Sequence, residues 1–80
     1  MLLLVIHLPE LPIAPFKRMV RKIDSNMKIA DNAKREIRNV TERFAMEVLR
    51  GATEIAKVAK RRTILKEDIR IAKRQLIKTV

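Results

Sequence analysis

Apolar residues recur along this chain at helical spacing in three separate runs. In the first, Ile13, Phe16, Met19, Val20 and Ile23 fall at helical spacing, with Lys17, Arg18, Arg21 and Lys22 between them. That period is the mark of an amphipathic α-helix. Pro12 and Pro15 suit its opening turn, where a missing N–H costs nothing. Asp24-Ser25-Asn26 reads as the turn that ends it. The second run is longer. Ile37, Val40, Phe44, Val48, Ala52, Ile55 and Ala59 step by three or four without a break. They predict a helix from about Asp31, a good N-cap residue, to about Ala59, roughly 40 Å long at 1.5 Å per residue. Lys60-Arg61-Arg62-Thr63 interrupts the pattern. A third helix follows, with Leu65, Ile69, Ala72 and Leu76 on one face. Glu67 and Asp68 lie in its first turn, where the macrodipole favours acids.

These elements make an all-α chain of short, long and short helices. Two short helices cannot cover an apolar stripe as long as the middle one. Ile37, Val40, Phe44, Val48 and Ile55 are therefore expected to form the core of a dimer. The other face of that helix carries Arg38 and Glu42, Arg43 and Glu47, and Arg50 and Glu54, each four apart. They are expected to be ordinary solvated pairs, worth a few tenths of a kcal/mol each. Gly51 interrupts the helix at a cost of about 1 kcal/mol, which a close helix crossing would explain.

Composition sharpens the picture. Eighty residues make one domain at most. With no cysteine there is no disulfide, yet 48% of the residues are hydrophobic, too many for a disordered tail. Such a chain is expected to oligomerise. Its 19 Lys and Arg against 9 Asp and Glu give a net charge of +10, the footprint of a polyanion binder. The stretch from Lys57 to Lys78 is especially basic, with nine cations and two acids. Nucleic acid is the first candidate partner and an anionic membrane surface the second. Phe16 and Phe44 are the only aromatics. Single-strand and RNA binders usually stack bases on aromatic platforms, so the duplex backbone is favoured.

Little else carries chemistry. His7 stands alone on an apolar segment, so no metal site is expected. Ser25 has no base partner, and one Gly cannot build a phosphate-binding loop. No enzyme activity and no cofactor are expected. A helix-turn-helix reader needs a compact recognition helix, which the long middle helix fits poorly. Met1–Leu8 is apolar but too short to span a bilayer, and it lacks the basic start and cleavage site of a signal peptide. It could serve as an extended arm or an oligomer contact, or reflect an upstream start. The organisation read from the sequence is thus an arm over 1–9 and a folded domain over 10–80.

Two motifs add a family. Leu11-Pro12-Ile13-Ala14-Pro15 followed by Arg18 resembles the opening of archaeal histones. Arg61-Arg62-Thr63-Ile64 followed by Glu67-Asp68-Ile69 resembles the same family's second loop and third-helix start. The likeness covers about residues 10–76. It implies a histone fold in which two chains clasp head to tail through their long helices. It implies a function of binding, bending and compacting duplex DNA, largely without sequence specificity and in association with the chromosome of the cytoplasm. By the same resemblance, Arg18 matches the arginine that enters the minor groove. Arg21, Lys28, Arg61, Arg62 and Thr63 complete the expected DNA-binding set, and Arg61 pairs with Asp68 to brace the second loop. Dimer-to-dimer stacking maps to Ile55, Val58, Asp68 and Ile71, with Val58 where a histidine is common. The first loop is about one residue longer than is common in the family. Its Lys28-Ile29-Ala30 resembles the histone-fold B subunit of the CCAAT-binding transcription factor, which pairs with a different chain. A heterodimeric regulatory subunit is therefore the alternative to a self-pairing packaging protein.

Overall fold

The computed structural model describes residues 9–78. Of the arm expected over 1–9, residues 1–8, with His7, lie outside the described residues. Three helices follow in order: α1 (Ala14–Ile23), α2 (Asp31–Val58) and α3 (Lys66–Lys78). No strand occurs among the described residues. The chain divides into two compact units, with the boundary in sequence between Glu42 and Arg43.

In the first unit, Pro15 sits in the opening turn of α1, and the Ile13 carbonyl accepts the Phe16 N–H at 3.2 Å. Phe16 is the buried side chain of this helix. Met19 and Ile23, on the same predicted stripe, are exposed, Ile23 by 87%. The helix ends where expected. The extended Asp24 donates its N–H to the Val20 carbonyl, and its Oδ1 accepts the Asn26 N–H at 2.9 Å. Its carbonyl accepts the Met27 N–H at 3.1 Å. This is the carboxylate-organised turn that the Asp-Ser-Asn triplet favours.

α2 begins at Asp31 itself, because the Ala30 carbonyl accepts the Lys34 N–H and so opens the helical ladder. Asp31 is thus the first helical residue rather than the N-cap. Its carboxylate lies 3.2 Å from the Lys34 ammonium, an acid at the positive end of the helix dipole. The surface pairs also differ from those expected. Glu47 pairs with Arg50, and Glu54 with Lys57, three apart and with the acid first. The pairs Arg43–Glu47 and Arg50–Glu54 put the base first, the less favourable order along the dipole. Arg38 does face Glu42, at 3.9 Å, but not on a solvated face. Glu42 is only 6% exposed, and its Oε1 accepts the Glu10 N–H at 2.8 Å. This carboxylate ties the segment before α1 to the long helix.

The second unit holds a small apolar core. Val48, Ala52 and Ala72 are buried together, with Ile55, Ile69 and Leu76 packed against them. The small residues bring α2 and α3 close. A Cβ placed on Gly51 would lie 3.2 Å from the Cβ of Ala72. The mid-helix glycine therefore does mark a close crossing. Two of the residues assigned to a dimer core, Val48 and Ile55, pack here against α3 of their own chain. Ile37, Val40 and Phe44 stay exposed.

Candidate nucleic-acid interface

The loop between α2 and α3 is fixed from both ends. At the end of α2, the Lys60 N–H donates to the Lys57 carbonyl at 2.8 Å, and the Arg61 N–H to the Ala56 carbonyl at 2.9 Å. These two bonds form a Schellman motif. Lys60 occupies its left-handed position, with φ 60°. Glycine normally stands there, since any other residue bears a steric cost of about 1–2 kcal/mol. Lys60 is the only described non-glycine residue with positive φ.

At the other end, Asp68 is 3% exposed and takes a two-pronged bond from Arg61. Nη1 donates to Oδ2 and Nη2 to Oδ1, both at 2.9 Å. Oδ2 also accepts the Leu65 N–H at 2.8 Å. An acid three residues into a helix, reaching back to the residue before it, is half of a capping box. The same guanidinium donates to the Thr63 carbonyl at 2.8 Å. Arg61 therefore binds the loop's middle and the start of α3 at once. The Arg61 hydrogen bonds, then that from Leu65, hold the Asp68 carboxyl down to about 2 against an opposing contribution from burial. Asp68 in turn pushes the Arg61 pKa up. With Arg61 committed in this way, Arg62, Thr63 and Ile64 face solvent.

The first unit presents a different arrangement. Arg18, Arg21 and Lys28 are exposed, and α1 carries four cations and no acid. Lys17, Arg21, Lys28 and Lys34, with Ser25 and Asn26, line a concavity of about 510 Å³ beside the Asp24 turn. Sequence reasoning named Arg21 and Lys28 here but missed Lys17 and Lys34. Lys34 stands one helical turn past the first loop, and that spacing was the available signal. Arg18 does not line this concavity. Among the stacking residues, Val58 is 83% exposed and Ile71 is exposed, while Ile55 packs on the core and Asp68 is committed to Arg61. Among the described residues no group of acids and histidines could hold a metal, and no described helix is long and apolar enough to cross a membrane.

Short, long and short helices, with a loop braced by an arginine–aspartate pair, define the class as the histone fold. The family described as histone-like transcription factor (CBF/NF-Y) and archaeal histone matches residues 9–72. An archaeal histone HAN1 subunit from Thermococcus zilligii is 40% identical over 63 residues, covering 79% of this chain and 92% of that protein. Probable archaeal histone 3 of Methanocaldococcus jannaschii is 34% identical over 65 residues, covering 81% of this chain and 96% of that protein. The chain belongs to this family and is a histone-fold DNA-binding protein.

Proposed function

We propose that this chain binds, bends and compacts duplex DNA as a handshake dimer, through backbone and minor-groove contacts and with little sequence preference. The observation that carries the reading is the second loop. A buried carboxylate holds Arg61 rigidly, so the exposed Arg62 and Thr63 are presented from a fixed backbone. A preformed cation and hydroxyl suit phosphate and sugar, which have the same geometry at every base pair. Arg18, exposed on a helix that carries four cations and no acid, suits the narrow, negative minor groove. Arg21 and Lys28, in the concavity beside the first loop, add backbone contacts.

Dimerisation is supported by the exposure of Ile37, Val40 and Phe44 on α2. Apolar side chains repeated along one helix need a covering partner, and a second copy supplies the same stripe. A different partner chain is the second reading. One relative bears the name of a subunit; moreover, Lys28-Ile29-Ala30 resembles the matching stretch of a protein that pairs with another chain. Further stacking of dimers is assigned to Ile55, Val58, Asp68 and Ile71. With Val58 in that set, the contact is apolar packing rather than a histidine–carboxylate bond. A place on the chromosome follows from the same reading.

Nuclease digestion of random-sequence duplex saturated with the purified chain tests this. Protected fragments growing in regular steps are expected of a self-pairing histone that stacks. A single short protected size would limit the assembly to a closed particle. No protection, from a chain shown to be folded, would overturn self-sufficient packaging and favour the heterodimer.

A further inference from the structure

Charge is not spread evenly over the three helices. α2 carries six cations and five acids, and its acids at 31, 42, 47 and 54 each face a base on the same helix. α1 has cations alone. α3 is like α1 beyond its first turn: from Ile69 to Lys78 it holds four cations and no acid. The acids Glu67 and Asp68 face Arg70 and Arg61. Solvation alone is served as well by mixed charges, as on α2.

With 3.6 residues per turn, Asp68, Ile69, Ala72 and Leu76 share one side of α3. Asp68 and Ala72 are buried there, and Ile69 and Leu76 are half-buried. Arg70, Lys73, Arg74, Ile77 and Lys78 project away from that side and are all exposed. They line a shallow concavity of about 420 Å³. Their span along the helix is about 12 Å. One DNA strand presents a phosphate every 3.4 Å or so of helix axis, so this face matches about three or four successive phosphates. The exposed Ile77 adds an apolar side chain to this lining, suited to contact with a sugar ring. None of these residues belongs to the loops and α1 surface assigned to DNA above.

We propose that the outer face of α3 is a second polyanion surface, which takes the backbone of a separate duplex and lets one assembly bridge two DNA segments. This rests on the DNA-binding reading above. The test is Lys73→Gln/Arg74→Gln/Lys78→Gln, which keeps good helix formers in place, with the helical signal checked by circular dichroism. A first duplex, fixed to beads, is saturated with protein and washed. A labelled second duplex of unrelated sequence is then added.

The wild-type chain is expected to capture the second duplex, with capture falling as salt rises. The variant is expected to lose capture at least tenfold while protecting the first duplex over the same length. The log–log salt dependence of capture should become shallower by about 0.9 for each phosphate contact removed. Equal capture by both proteins, or none by the wild type on a saturated first duplex, would overturn the proposal and leave the primary reading standing. Failure of both proteins to bind the first duplex would defeat both. In a parallel arm, labelled poly-glutamate replaces the second duplex. Its capture by the wild type in preference to DNA would overturn the nucleic-acid assignment in favour of an acidic protein partner.

Discussion

The close approach of α2 and α3 can be tested through two residues. Gly51→Ala adds a Cβ that would sit 3.2 Å from the Cβ of Ala72, a few tenths of an ångström too close, while the Ala72 Cα stays at an ordinary 3.9 Å. Two effects then oppose each other. Replacing glycine by alanine inside a helix gains about 1 kcal/mol. Crowding a packed contact typically costs about 1–3 kcal/mol. Alone, Gly51→Ala should therefore leave stability unchanged or lower it by up to about 2 kcal/mol. Ala72→Gly should cost about 2 kcal/mol, from lost helix propensity together with a lost buried methyl group. In that background the crowding atom is gone, and Gly51→Ala should recover its full gain of about 1 kcal/mol. The double-mutant cycle should thus show coupling of at least about 1 kcal/mol, within the usual range for residues in contact. Urea unfolding followed by circular dichroism measures it. All four proteins must be at one concentration, because association makes apparent stability concentration-dependent. If Gly51→Ala has the same effect in both backgrounds, the crossing is not the reason for the glycine.

Three further outcomes are expected. Lys60→Gly relieves the left-handed backbone at the end of α2 and should stabilise the chain by about 1 kcal/mol; a lowered urea midpoint would contradict the Schellman reading. Asp68 is held near 2 when folded, against 3.8 for an unperturbed aspartate, so the folded state binds its proton less readily. Its contribution is complete above about pH 4 and disappears as pH falls through about 2. Asp68→Asn should remove this part of the acid sensitivity, seen as a flatter loss of helical signal between pH 4 and 2, and unchanged sensitivity would move the acid response elsewhere. Arg18→Ala should weaken duplex binding and reduce the bend measured by end-to-end energy transfer on a labelled duplex; unaltered affinity and bend would remove Arg18 from the minor groove.

Much of this molecule follows from local pattern. The three apolar runs, the Asp24 turn and the acids at the start of α3 each depend on residues within a few positions of one another. Helical spacing alone therefore placed the elements to within a residue or two. The Arg61–Asp68 pair was also legible, though only through resemblance, because nothing in helical spacing singles out one cation among Lys60, Arg61 and Arg62. The tertiary structure decided what depends on distance through space. It buried Glu42 against the Glu10 N–H across 32 positions, where the pattern implied a solvated ion pair. It closed α2 on a Schellman motif without glycine, because the bonds made by Arg61 hold Lys60 in a conformation that its side chain disfavours. It set Gly51 against Ala72 and turned the basic side of α3 outward. A sequence states which residues share a helix face. Which face is covered depends on contacts between residues far apart in the chain, whose energies no local pattern contains.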